Sequence, residues 1–235
     1  MSHQVYPGPD GRPYEGFLAT PATDEPRPLV VLGHDWSGIN AATRAVARRV
    51  ASYGYACFAI DAYGQGVRGD ERGDNAHLMD PVLADRDDLR ARLLAGYGFG
   101  RSLPSVRSDR VATLGFCFGG ICALDLARAR APGLLGTISV HGGLRTPTSA
   151  PRIDGRVLLL HGWADPIAPP EDVVAIAREL TDAGADWELR AYGHAMHAFT
   201  FEGANQPEAG IAFHPTAATR AWDAIEAFLG EVLGP

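Results

Sequence analysis

The sequence predicts an α/β fold: a mainly parallel central sheet with helices on both faces. Short continuous apolar runs at 29–33, 55–60 and 111–116 have the character of strands buried on both faces. Segments with apolar residues at helical spacing alternate with these runs, as parallel crossovers require. Polar residues gather where the runs stop, at His34/Asp35, Asp61, Cys117, His141, His161/Asp165 and His194/His197. In such sheets ligands bind beyond the carboxyl ends of the strands.

Taken in order, residues 1–10 read as a loose approach, 11–20 as a first strand and 21–28 as a polar, Pro-rich turn. The strand at 29–33 feeds a helix at 41–53, with Val46 and Val50 four apart. After the strand at 55–60, residues 64–80 are rich in glycine and charge and read as a long loop, a length more often functional than idle. Leu83, Leu89, Leu93 and Leu94 set a helix over 81–96. Further strands are expected at 111–116, 134–140, 156–160 and 187–192. Helices are expected behind Cys117, at 170–183 before Gly184, and at 216–233.

A chain of 235 residues fits one α/β domain spanning 1–235. A net charge of −7 argues against nucleic acid as a partner. Three cysteines, Cys57, Cys117 and Cys122, form no disulfide framework and suit a reducing, cytoplasmic setting. The first residues lack the apolar core of a signal peptide, and no apolar run approaches a membrane span. A monomer or homodimer acting on a small molecule is the expectation.

The most informative stretch is Gly115-Phe116-Cys117-Phe118-Gly119, between an apolar strand and a helix. It is the G-x-S-x-G nucleophile elbow with cysteine for serine. Glycines two before and two after the nucleophile leave room for a tight turn. The helix behind it offers free N–H groups and a positive dipole end to a thiolate, and the N–H of Phe118 to an oxyanion. A thiol nucleophile needs a base, and the base an orienting acid, in the chain order nucleophile, acid, histidine. Asp165, on a loop just past a strand and followed by Pro166, suits the acid. His194 and His197 both follow the last strand, and spacing alone leaves the base open between them. Trp36 is the candidate for the second oxyanion N–H, with Asp35 near the mouth and able to contact the thiol. Cys57, Cys122, His141 and His161 read as structural. A His-x-x-His metal pair at 194–197 lacks a third ligand nearby, so no metal or cofactor is expected.

These stretches, HDWSGIN, AIDAYGQG, GFCFGG, HGWADP and YGHAMHAF, resemble the dienelactone hydrolase family of α/β-hydrolases, and the resemblance runs from about Gly16 to Leu233. It implies an α/β-hydrolase fold, Cys117 as nucleophile, Asp165 as acid and His197, rather than His194, as base. Two departures stand out. The family's thiol-contacting loop glutamate is replaced by the shorter Asp35. The family's arginine four residues after the histidine, which helps bind a substrate carboxylate, is Phe201 here. Arg68, Arg72 and Arg86 read first as solvated side chains, with a positive charge supplied from the long loop or the following helix as the second reading, while Trp36, Phe118, Phe199 and Phe201 suggest an apolar pocket. The implied activity is cleavage of an activated ester or lactone through a thioester. The alternatives are a general small-ester carboxylesterase or thioesterase, and a ligand-binding relative without turnover.

Overall fold

In the computed structural model, which describes residues 1–147 and 149–234, eight strands form one sheet. They are β1 (Ser2–Pro7), β2 (Pro13–Ala19), β3 (Arg27–Gly33), β4 (Ala56–Ile60), β5 (Val106–Phe116), β6 (Leu134–Val140), β7 (Arg156–Gly162) and β8 (Trp187–Tyr192). Their spatial order is β1-β2-β4-β3-β5-β6-β7-β8. From β4 to β8 every pairing is parallel, while β1 and β2 form an antiparallel hairpin that also pairs antiparallel with β4. This is the α/β-hydrolase architecture.

The central strands are apolar at consecutive positions because both their faces are covered. In β3, Leu29 and Val31 belong to one core, and Val30 and Leu32 to the other. Helices α1 (Ala41–Ser52) and α6 (Pro215–Leu233) close the second core with Ala47, Val50, Ile225 and Phe228. Helices α3 (Arg86–Ser102), α4 (Phe118–Arg128) and α5 (Pro170–Asp182) close the first with Leu89, Leu124 and Ile176. On that face a buried ion-pair network ties three helices together. Arg86 grips Asp125 at 2.6 Å, and Arg128 reaches Asp125 at 3.2 Å and Glu179 at 2.8 Å.

Three expectations need correction. Residues 2–7 are a strand, not a loose approach: β1 is an edge strand with only Tyr6 buried, so no apolar alternation marks it. The helix expected over 81–96 is two helices, α2 (Ala76–Ala84) and α3. They break at Asp85, whose non-helical backbone lets its side chain accept the Asp88 N–H at 2.9 Å and cap α3. The loop after β4 is therefore shorter, 64–75. It is also fastened. Buried Asn75 bonds the backbone of Asp70 and Gly73, Gly69 donates to the Ser37 carbonyl, and Arg68 donates to the carbonyl of Ile39. The short hairpin of β9 (Asn205–Gln206) and β10 (Ile211–Ala212), joined by a 3₁₀ turn, has no counterpart among the elements expected from sequence.

The sheet reverses its order of growth between β3 and β5. The chain leaves β3 toward β4 on one side and returns to β5 on the other. Loops at such a point diverge and open a crevice. Trp36 follows β3 and Cys117 follows β5, so both flank it.

Candidate active site

Cys117 sits between β5 and α4 with φ 55° and ψ −120°, a conformation that L-residues with a Cβ adopt only under constraint. The constraint comes from both sides. Its N–H donates to the Val140 carbonyl at 3.1 Å, and its carbonyl accepts the Gly120 N–H at 2.9 Å. A Cβ on Gly115 would overlap the Gly119 carbonyl, and one on Gly119 would overlap the Gly33 carbonyl. The glycines of the elbow are thus required by close backbone approach.

Cys117, His197 and Asp165, far apart in sequence, form one hydrogen-bonded chain. His197 Nε2 lies 3.2 Å from Cys117 Sγ, and His197 Nδ1 lies 2.8 Å from Asp165 Oδ2. The other Asp165 oxygen accepts the Ile167 N–H at 2.8 Å, so the aspartate fixes its own turn and the imidazole at once. His197 is held through its backbone as well. Its N–H donates to Gly210, and its carbonyl accepts from Ala212, both next to or within the unforeseen hairpin. His194 is exposed in the preceding turn.

Burial of His197 penalises its charged form, but a neighbouring Cys117 thiolate and the hydrogen-bonded Asp165 carboxylate outweigh that penalty and push the imidazole up to about 10. His141, fully buried, is shifted the other way, first by burial and then by the charge of His197. Its ring stands edge-on to His197 at 5.2 Å, and its Nε2 lies 2.8 Å from Thr200 Oγ1. The expectation that His141 and His161 are structural holds for burial but not for saturation. Among the described residues His141 Nδ1 and both nitrogens of His161 lack a protein partner.

Cys117 opens into a cavity of about 520 Å³, whose apolar wall includes Leu32, Val46, Met79, Leu83, Ile121 and Trp222. Trp36 and Phe118 line it, and their backbone N–H groups donate to no protein acceptor among the described residues. For Phe118 this follows from its place at the start of α4, where N–H groups have no helical partner.

Of the remaining expected residues, some are where the sequence put them and some are not. Phe201 lines the mouth and is 42% exposed, beside Ile167. Phe199 does not meet the cavity: it is fully buried, packed on Tyr192 and His141 beneath the site. Asp35 lines the cavity but makes no hydrogen bond to the thiol. One of its carboxylate oxygens, Oδ1, is taken by Ser37, accepting the N–H at 2.8 Å and the hydroxyl at 2.5 Å. Its short side chain closes on its own turn. Among the three arginines, Arg86 is committed to Asp125 and Arg68 to backbone carbonyls and Asp61. Arg72 alone lines the cavity, on the 64–75 loop, and its guanidinium has no partner among the described residues. His34, marked in the sequence only as a polar strand-end residue, and Tyr63, to which the sequence assigns no role, pack against Phe118 beside the crevice. Their one sequence mark is position, immediately after β3 and just past β4.

Comparison with known proteins agrees with this architecture. The model of the dienelactone hydrolase family matches residues 14–233. A Synechocystis protein named as a carboxymethylenebutenolidase is 27% identical over 78% of this chain and 80% of its own. The solved structure named m3DLH is 34% identical, superposes with a TM-score of 0.91 and covers 99% of this chain and 98% of its own. A dienelactone hydrolase-like promiscuous phosphotriesterase from metagenomic libraries is 30% identical with a TM-score of 0.90, covering 99% of both chains.

Proposed function

The chain belongs to the dienelactone hydrolase family and is a hydrolase of ester or lactone bonds; we propose that it cleaves them with Cys117 as nucleophile, His197 as base and Asp165 as orienting acid. The observation that carries this reading is the continuous Cys117–His197–Asp165 hydrogen-bonded chain at the floor of an apolar cavity. Asp165 holds His197 with Nδ1–H toward the carboxylate, leaving Nε2 for the thiol. The proton leaves Sγ for Nε2, and the imidazolium and thiolate stabilise each other in a site that His197, 5% exposed, shares with little water.

The thiolate attacks the carbonyl carbon, and the carbonyl oxygen takes up negative charge. The N–H groups of Phe118 and Trp36 receive that charge, each contributing roughly 3 kcal/mol where water is excluded. The C–O bond breaks, the alkoxide or enolate leaves with a proton from His197, and a thioester remains on Cys117. Water, deprotonated by His197, then attacks the thioester; the C–S bond breaks, the carboxylic acid leaves, and the Cys117 thiolate is restored beside the protonated His197. Because a thiolate departs readily, the first tetrahedral species tends to collapse back unless the leaving group is also good. Enol lactones and aryl esters are therefore the expected substrates, and amides are not.

The test is hydrolysis of p-nitrophenyl acetate and of a dienelactone by wild type, Cys117→Ala and His197→Ala. Turnover by wild type and its loss in both variants supports the reading. Full activity in Cys117→Ala overturns it.

A further inference from the structure

We infer that His34 and Tyr63 are positioning residues of the oxyanion hole, holding the backbone around Trp36 through hydrogen bonds to two consecutive carbonyls. This rests on the reading of the Trp36 N–H as an oxyanion donor. The peptide that carries that N–H has the Asp35 carbonyl as its other end. His34 Nδ1 lies 2.6 Å from this Asp35 oxygen. The next carbonyl, that of Trp36, accepts the Tyr63 hydroxyl at 2.9 Å. Two side chains thus grip the peptide planes on either side of one α-carbon.

The proton positions follow from the network. His34 Nε2 lies 3.1 Å from the Ala62 backbone N–H, which can only donate. Nε2 is therefore the acceptor, and in the neutral ring the proton sits on Nδ1, where it donates to Asp35 O. His34 is 2% exposed, and burial lowers its basicity, which keeps the ring neutral and this tautomer in place. Tyr63 is held above its ordinary value chiefly by burial, so its hydroxyl remains a donor. A peptide whose carbonyl accepts a hydrogen bond is polarised, and its N–H becomes a better donor.

The same two rings reach the other donor. Tyr63 stacks on Phe118 at 5.7 Å with 14° between the planes, and His34 tilts against Tyr63 at 4.8 Å and Phe118 at 5.7 Å. One buried aromatic trio therefore backs both N–H groups. Phe118 needs no such help, because the helix orients its N–H. Trp36 lies on a loop, where the Gly38 N–H reaches the Asp35 carbonyl at 3.2 Å and the shorter bonds that fix the two peptide planes come from the His34 and Tyr63 side chains.

The test separates oxyanion stabilisation from nucleophile formation. Tyr63→Phe removes the hydroxyl and keeps the stacked ring. His34→Leu removes the donor, and His34→Asn restores one near the Nδ1 position. For each variant, acylation by p-nitrophenyl acetate is measured in single-turnover mode beside alkylation of Cys117 by iodoacetamide, which develops no oxyanion. The expected result is acylation slowed roughly ten- to hundredfold in Tyr63→Phe and His34→Leu. Alkylation rates and KM should stay unchanged, and His34→Asn should recover part of the loss. Equal losses in acylation and alkylation would overturn the inference, because the residues would then act on the thiol. Unchanged acylation in both Tyr63→Phe and His34→Leu would overturn it too. A wild type that alkylates at Cys117 but hydrolyses no ester would instead contradict the hydrolase mechanism, and this inference with it.

Discussion

The floor of the cavity and its rim are built in different ways. On the floor, Cys117 is fixed by two backbone hydrogen bonds and a glycine-tight elbow, His197 by four contacts through ring and backbone, and Asp165 by its own turn. The rim is made of exposed side chains with few partners: Phe201, Ile167 and Arg72, whose guanidinium is unpaired among the described residues. Chemistry that must be placed within a few tenths of an ångström is held by backbone, and selection of substrate is left to side chains that can change singly. Substitutions on the floor should therefore cost orders of magnitude in rate, and those on the rim a few-fold in affinity.

The largest effect is expected for Cys117→Ala, with kcat for p-nitrophenyl acetate falling about ten-thousandfold or more. The same position tests the strain. At φ 55° Cys117→Gly should be more stable than Cys117→Ala by about 1 kcal/mol in urea unfolding. Equal stabilities would mean that the elbow stores no strain. Next comes Asp165→Asn, which keeps the shape but replaces the accepting oxygen; kcat should drop roughly a hundred- to ten-thousandfold with KM little changed. A drop of less than tenfold would remove the aspartate from the mechanism.

A third effect concerns stability against pH. His197 titrates in the folded protein at about 10 rather than at its ordinary 6.5. At the imidazole itself, the folded chain holds a proton between those values that the unfolded chain releases, so the imidazole's contribution to stability falls as pH rises. That contribution is complete below about pH 6.5 and gone once pH has passed about 10. Urea unfolding at the two ends of this window should show a larger loss for wild type than for His197→Gln. Equal losses would place the proton elsewhere. The smallest effect belongs to the rim. Arg72→Gln should raise KM for a carboxylated lactone by about three- to tenfold, as for a partly exposed charge contact, and leave a neutral aryl ester unaffected. Equal changes for both substrates would break the division between floor and rim.

The sequence conveys the floor far better than the rim, for physical reasons. A strand–thiol–helix turn flanked by glycines serves few purposes besides presenting a nucleophile, and strands buried on both faces read as unbroken apolar runs. That His197 rather than His194 meets Cys117 is not open to spacing, because it depends on the hairpin of β9 and β10 that pins His197, and two-residue strands carry no periodic signal. Asp35 and Phe199 are legible in their position along the chain but not in their direction. A one-residue difference in a loop decides whether a carboxylate closes on Ser37 or faces a thiol, and whether a ring points into the cavity or under it. The roles of His34 and Tyr63 escape a reading of the sequence, although His34 is marked there as a strand-end residue, because their contacts run between the ends of neighbouring strands, a relation visible only once β3 and β4 are paired.

The central claim is a covalent thioester on Cys117. Wild-type protein acid-quenched during turnover of p-nitrophenyl acetate, digested and probed by mass spectrometry, tests it directly. An added acetyl group on the peptide holding Cys117, formed within the burst of p-nitrophenol release and absent in Cys117→Ala, is the result expected. A burst without that adduct, or an adduct that persists in Cys117→Ala, would contradict it.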